Sequence, residues 1–502
     1  MRSTDTLTRD ALAVLQPGFH GTAAPDWLLR SVGEGLSSVG LFGRNIASPG
    51  QLAALTAQLR AERDDVLVAI DEEGGDVTRL EVRGGSSFPG NLALGAVDDT
   101  ALTRDVAREL GRRLAECGVN LNWAPSADVN SDPGNPVIGV RSFGADPLLV
   151  ARHTAAYVEG LQAAGVAACT KHFPGHGDTN VDSHHDMPRI DVDLDTLHAR
   201  ELVPFRAAIA AGSKSVMSAH ILLPALDPTR PATLSPQILT GLLREELGYQ
   251  GLIITDGMEM RAISATYGIE RGSVLAIAAG ADAICVGGGL ADEETVLRLR
   301  DALVRAVRSG ELPEERLADA AARVRALATW TRQARTSGPG AEVQEGTAPG
   351  NETDREVGTV AARRALRITR APGATHVNSA PYVAALTPVA NIAVGDETPW
   401  GVAADLARLL PGTETGTYDG ETGTAASILA AARERRIVVV VRDEHRHPWM
   451  AAALDEVLTA RPDTVVVEMG VPQSAPRGAL HVATHGAARV CGQAAAEAIA
   501  GR

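Results

Sequence analysis

The chain has 502 residues, 45% hydrophobic and 22% charged, with a formal net charge of −15. That length exceeds one ordinary core, so two domains are expected, with the balance of a soluble globular protein. The negative charge excludes broad binding to nucleic acid or to membrane surfaces, because no basic stripe interleaved with aromatics offsets it.

Residues 1–19 lack a long apolar core behind a basic head, so no secretory leader is read there and a cytoplasmic protein is expected. Apolar runs rich in β-branched or small residues follow at 66–70 (VLVAI), 120–125 (NLNWAP), 166–170 (VAACT), 215–220 (SVMSAH), 252–255 (LIIT) and 283–286 (AICV). Each predicts a buried strand. Helical patterns lie among them at 101–117, 148–164, 195–211 and 235–247. This alternation predicts parallel α/β structure, and its length and strand count suit a (β/α)8-type TIM barrel over residues 1–336.

Residues 337–356, SGPGAEVQEGTAPGNETDRE, have no hydrophobic period and predict a linker. Beyond it, strands predicted at 392–394, 437–441 and 464–468 alternate with helices at 401–410, 425–434, 448–460 and 492–500. Residues 357–502 therefore read as a smaller α/β sandwich domain. No phosphate loop or dinucleotide fingerprint opens it. The apolar stretch 383–394 is interrupted by Thr387, Pro388 and Asn391 and is too short to span a bilayer. Cys117, Cys169, Cys285 and Cys491 are widely spaced and form no CxxC pair, which reads as buried free thiols.

Four of the barrel strands end in residues with chemical potential. VLVAI runs into Asp71, VAACT into Lys171 and His172, SVMSA into His220, and LIIT into Asp256. In a β/α barrel the active site lies where strands end and loops begin. One such ending is ordinary turn or cap chemistry; four together favour a shared polar mouth.

The densest signal is KHFPGHGDTNVDSHHDMP, residues 171–188, with four histidines, three acidic residues and a lysine. Three readings apply. A solvated loop would tie its histidines to backbone. A metal site would use His and Asp ligands, but no zinc spacing such as HExxH occurs. Acid/base catalysis would pair Asp182 with His184, two residues apart, the carboxylate fixing the imidazole's tautomer and stabilising its protonated form. The density favours the third reading, and no metal or cofactor is expected.

Asp256 stands before Gly257 and, taken alone, is a turn residue. Beside a histidine-bearing catalytic loop it becomes the nucleophile candidate, since retaining glycosidases need a carboxylate below the sugar and an acid/base above the leaving oxygen. IDEEGGDVTRL (70–80) adds four carboxylates, three of them directly at the strand end, and Arg79, and NPVIGVRSFG (135–144) adds Arg141. Their bland reading is surface ion pairs of small energetic worth; at a barrel mouth they suit binding of sugar hydroxyls.

Together these stretches, with ELVPF (201–205), MSAHI (217–221) and LREELGYQGLIITDGM (243–258), resemble glycoside hydrolase family 3 in its β-N-acetylglucosaminidase branch. They occur in the family's order over most of residues 15–330. The resemblance implies a β/α barrel, a covalent glycosyl-enzyme and no metal. It makes Asp256 the nucleophile, His184 the acid/base and Asp182 its dyad partner. It makes Asp71, Arg79, Arg141, Lys171 and His172 ligands of the terminal sugar. Two positions depart from the family pattern: Asp76 replaces an arginine after the double glycine, and Val140 stands where an acidic residue is common.

The implied substrate is a small-molecule glycoside with a terminal non-reducing β-linked N-acetylglucosamine, as in recycling of cell-wall or chitin fragments. Alternatives are a phosphorylase, since a histidine base does not repel phosphate, and a β-glucosidase or β-xylosidase, which the DSH loop disfavours. A catalytically silent sugar-binding protein is a further alternative, disfavoured by the intact trio Asp182, His184 and Asp256.

Overall fold

A computed structural model describes residues 4–502 apart from 180, 182–186, 291, 338–351, 389–393, 395–396 and 423. Of residues 4, 5 and 352–355 it describes the backbone alone. The chain forms two compact units. The first takes Met1–Glu73, Thr103–Ile138 and Ala145–Pro349; the second takes Gly74–Leu102, Gly139–Gly144 and Gly350–Arg502. Two excursions from the first half of the sequence thus belong to the second unit. Of the expected linker, Ser337 ends one helix and Glu352 begins another; residues 338–351 lie outside the described residues.

The first unit is built on eight short strands: β1 (Leu15–Pro17), β2 (Ser38–Leu41), β3 (Leu67–Ile70), β4 (Leu121–Asn122), β5 (Ala167–Phe173), β6 (Ser215–Ser218), β7 (Leu252–Thr255) and β8 (Ile284–Val286). Strands β2 to β7 pair in parallel in chain order. Ala283, just before β8, bridges Ile254 of β7, and β8 pairs in parallel with β1. The Gln16 side chain of β1 donates to Ser38 of β2. The strands therefore follow one another around a β/α barrel.

Every residue of these strands is buried. The sequence consequently shows continuous apolar runs instead of alternation, because helices cover one face and side chains fill the other. Trp123 lies in a core cluster with Leu67, Cys169, Met217 and Ile254. Gly40 makes room for it: a Cβ there would sit 2.8 Å from the indole. Helix starts follow ordinary capping chemistry. Asp146 accepts from Leu148 N ahead of Pro147–Ala163, and Asp292 accepts from Thr295 N ahead of Glu293–Arg308.

The second unit carries β9 (Arg367–Arg370), β10 (Tyr382–Leu386), β11 (Glu414–Tyr418), β12 (Ile437–Val441), β13 (Val465–Glu468) and β14 (Leu480–Ala483). Their order is β11-β10-β12-β13-β14-β9, parallel except for β9, which runs antiparallel to β14. Alternate residues serve two cores. Val438, Val440, Val465 and Val467 face one; Val439, Val441 and Val466 face the other. Both faces are covered, as a sandwich requires. The strand expected at 392–394 falls largely outside the described residues; Val394 lies in a turn. No described helix is long and apolar enough to cross a membrane.

Candidate active site

The barrel strands are parallel, so their carboxyl ends share one rim. Strand β5 runs through Lys171 and His172 to Phe173. Lys171 is buried and bridges two carboxylates, Asp71 Oδ1 at 2.5 Å and Glu73 Oε1 at 2.7 Å. Those carboxylates follow β3. Asn122, at the end of β4, grips the backbone between them: Glu72 N donates to its Oδ1 at 3.0 Å, and its Nδ2 donates to Glu72 O at 2.7 Å. Tyr157 Oη donates to Glu73 O at 3.1 Å. The Glu73 side chain is 3% exposed and that of Asp71 is 19% exposed. Glu73 therefore serves to hold the lysine, while Asp71 keeps a face toward solvent.

His172 is oriented by Asp128, which follows β4. Its Nδ1 lies 2.7 Å from Asp128 Oδ2, and its backbone N donates to Oδ1 at 3.2 Å. Asp128 also accepts from Ser126 Oγ at 2.9 Å and from His176 N at 2.7 Å. Burial pushes the Asp128 carboxyl upward, but attraction to His172 and these hydrogen bonds outweigh it and hold the carboxyl well below the usual range. A fixed carboxylate against Nδ1 places a proton on that nitrogen and sets the orientation of the ring.

The turn after β5 is packed from below. A Cβ on Gly177 would sit 1.6 Å from Val129 O, and Asn135 Nδ2 donates to His176 O at 2.9 Å. Gly175, at φ +128°, leaves room for Glu201, whose Oε2 would lie 2.7 Å from an added Cβ. Arg200 binds both Glu201 and Asp178. Burial raises the Glu201 carboxyl to about 7 despite Arg200. Burial, then repulsion from His172, lowers His176 to about 4, so its imidazole is neutral near pH 7.

Asp256 immediately follows β7. Its backbone N donates to Ser218 O at 3.1 Å, and Gly257 N donates to its Oδ1 at 2.8 Å. His220, beyond β6, places Nε2 at 2.9 Å from Gly257 O and Nδ1 at 2.9 Å from Thr233 Oγ1. A carbonyl only accepts, so Nε2 carries the proton. The Asp71 and Asp256 charges both act on the buried Cys169 thiol, which burial above all raises to about 12. All four cysteines are buried and free.

The first unit thus brings together Asp71, Lys171 and His172 and carries Asp256 on the same rim. Arg79 and Arg141 belong to the second unit, where Asn91 Nδ2 donates to Arg141 O at 2.7 Å and Arg141 is buried. Asp182 and His184 lie outside the described residues. Residue patterns alone did not single out Glu73, Asp128 or Asn122. Glu73 stood in the DEEGG run. Asp128 sat in APSADVN, where only the strand-end position marked it.

A parallel barrel with charged and imidazole groups at its strand ends has the arrangement of the β/α-barrel enzymes, whose active sites lie at that rim. Residues 29–327 match the glycosyl hydrolase family 3 N-terminal domain, and the chain belongs to that family. It is 37% identical over 322 residues to beta-hexosaminidase A of Pseudoalteromonas piscicida, covering 59% of this chain and 54% of the relative. The match thus spans about half of that relative's length. It is 38% identical over 268 residues to a beta-hexosaminidase of Stenotrophomonas maltophilia strain R551-3, covering 52% and 78%. Among solved structures, the family 3 beta-N-acetylglucosaminidase from Paenibacillus sp. str. FPU-7 superposes with a TM-score of 0.88 at 35% identity, over 99% of this chain and 96% of that one.

Proposed function

We propose that the protein is a retaining β-N-acetylglucosaminidase that removes terminal non-reducing β-linked N-acetylglucosamine. The observation that carries this reading is the strand-end array of Asp71, Lys171, His172 and Asp256 in one unit, each at its motif position. The solved Paenibacillus enzyme, similar along nearly the whole chain, supports the same substrate class.

In the first step an Asp256 carboxylate oxygen attacks the anomeric carbon as the glycosidic C–O bond breaks, and His184 gives its proton to the leaving oxygen. In the second, water attacks the anomeric carbon, His184 takes the proton, and Asp256 leaves. Asp182 orients His184. Lys171, held between two carboxylates, donates to sugar hydroxyls; His172 Nε2, opposite the Nδ1–H that Asp128 holds, accepts from one, as does Asp71. Arg79 and Arg141 complete the sugar ligands. Four buried thiols suit a reducing cytoplasm, and recycling of cell-wall or chitin fragments fits the substrate.

Asp256→Ala should abolish turnover of an aryl β-N-acetylglucosaminide while circular dichroism stays native; undiminished turnover sinks the nucleophile assignment. His184→Ala should slow substrates with poor leaving groups most, and equal losses for good and poor leaving groups would remove its acid role. Product analysis with and without inorganic phosphate separates hydrolysis from phosphorolysis: free sugar in both supports hydrolysis, and a sugar 1-phosphate would replace it.

A further inference from the structure

The second unit has the strand order of a doubly wound sheet. Read from β11 to β14, it is 2-1-3-4-5 in order of occurrence after the edge strand β9. Such sheets bind ligands outside the carboxyl ends of their strands, and anions favour helix N-termini there. In this unit a carboxylate from the same unit occupies such a position. Arg442 immediately follows β12 and binds Asp76 Oδ2. Ala487, after β14 and just ahead of helix Arg489–Ala500, donates its backbone N–H to Asp76 Oδ1 at 2.7 Å. The Asp76 side chain is 2% exposed. The Arg442 guanidinium is held over the Trp400 ring at 5.7 Å.

The rest of the segment carries further anchors. Gly75, at φ +64°, lies so close to Gly90 that an added Cβ would sit 2.4 Å from the Gly90 Cα. Glu81 accepts from Ser87 N at 2.7 Å and from Ser87 Oγ at 2.6 Å, and Glu81 N donates to Thr78 Oγ1 at 3.1 Å. Arg489 donates to Gly85 O and to Ser87 Oγ. Arg79 stands in the turn between these anchors.

We infer that Asp76 and Arg442 are positioning residues through which the second sheet sets the geometry of the Arg79 turn. The anion seat of that sheet is filled internally, so its role in the reaction is to preorganise a sugar ligand. The functional half of this inference rests on the proposed role of Arg79. It also accounts for the acidic side chain at position 76, because the arginine and backbone N–H that line the seat favour an anion there.

The test is steady-state hydrolysis of an aryl β-N-acetylglucosaminide by the full-length protein, with hydrogen exchange of a peptide covering 76–84. Arg442→Met should raise KM about tenfold with kcat within about threefold, since misplacing a binding group weakens binding before it touches the chemistry. Arg442→Lys keeps the charge and should recover most of that loss. Asp76→Asn should raise KM, and the double variant should be no worse than Arg442→Met. The peptide should exchange faster in Arg442→Met and Asp76→Asn, with Arg442→Lys near wild type.

Wild-type KM and exchange in Arg442→Met and Asp76→Asn would overturn the inference. Should Arg442→Met not fold, Asp76→Asn decides the matter by the same two measurements. Arg79→Ala separates the two layers. If it raises KM while Arg442→Met and Asp76→Asn do not, the positioning role is wrong. If it leaves KM unchanged, the sugar-ligand reading of Arg79 fails and the functional half of the inference fails with it; exchange then decides the structural half.

Discussion

Both units place charge at the carboxyl ends of parallel strands, but they use it differently. In the barrel, Lys171 is neutralised by Asp71 and Glu73, and Asp71 keeps a solvent-facing side. In the second sheet, Asp76 is consumed by Arg442 and Ala487, and Glu468 at the end of β13 accepts from Asp443 N, Glu444 N and Gly470 N. Both of those carboxylates are buried. The same strand-end position therefore carries a partly exposed carboxylate in one unit and buried, internally satisfied ones in the other. What separates them is whether a polar group retains a face toward solvent.

Lys171→Met gives the largest expected effect. It leaves two carboxylates facing one another around a vanished cation, and removing one partner of a buried ion pair typically costs about 3–5 kcal/mol. Urea unfolding should register that loss, and turnover should fall with it. A variant as stable as wild type would mean that the barrel's cluster is no more internal than a surface pair, which would break the contrast.

Next are two buried glutamates, one in each unit. Burial raises both Glu201 and Glu468 to about 7 from an ordinary 4.5. The folded protein then holds these protons more tightly than the unfolded chain does. Stability should fall as pH rises from about 4.5 through about 7, by about 3 kcal/mol for each group. Urea midpoints between pH 5 and 8 check this. Glu201→Gln and Glu468→Gln should each flatten part of the slope, and the double variant should flatten most of it. If only Glu201→Gln changes the slope, the backbone donors around Glu468 keep it ionised and the two units differ in this respect too.

Asp128→Asn follows, a change confined to the barrel. Its carboxylate holds the His172 ring and two backbone N–H groups, and hydrogen bonds to charged groups contribute about 1.5–3 kcal/mol. Because its folded pKa is depressed, this stability is present above the ordinary 3.8 and is lost as pH falls through the folded value. The amide turns His172 to a different tautomer, so kcat/KM should fall about tenfold or more. Unchanged kinetics would remove His172 from the sugar site.

The sequence made the barrel legible because its strands are unbroken apolar runs, such as VLVAI and LIIT, that end abruptly in chemistry. It made β1, β2 and β9 hard to see for different reasons. The first two have three and four residues, too few for a period. Strand β9, RITR, is exposed at every position and lies on the sheet's edge. β14, LHVA, is buried throughout but is only four residues long and contains a histidine. Lys171, His172 and Asp256 were readable because residue type and strand ending coincided. Asp128 and Glu73 act through other side chains, and a supporting contact between strands distant in sequence has no local signature. Grouping Gly74–Leu102 with the second unit was equally invisible, since it depends on Arg442 and Arg489, far along the chain.

The smallest effect expected belongs to Arg489, and it bears on how the second unit holds its excursion. Its side chain is 44% exposed and lies 3.7 Å from Glu81, which is the geometry of a screened surface pair. Such pairs are worth about 0–1 kcal/mol. Its bonds to Ser87 Oγ and Gly85 O add little, because water replaces them when the arginine is removed. Arg489→Ala should therefore lower the urea midpoint slightly and leave KM for an aryl glycoside near wild type. That outcome would assign the hold on the Arg79 turn to the buried Asp76–Arg442 contact. A KM shift as large as that of Arg442→Met would instead spread the positioning over the whole segment, with burial no longer deciding which contact matters.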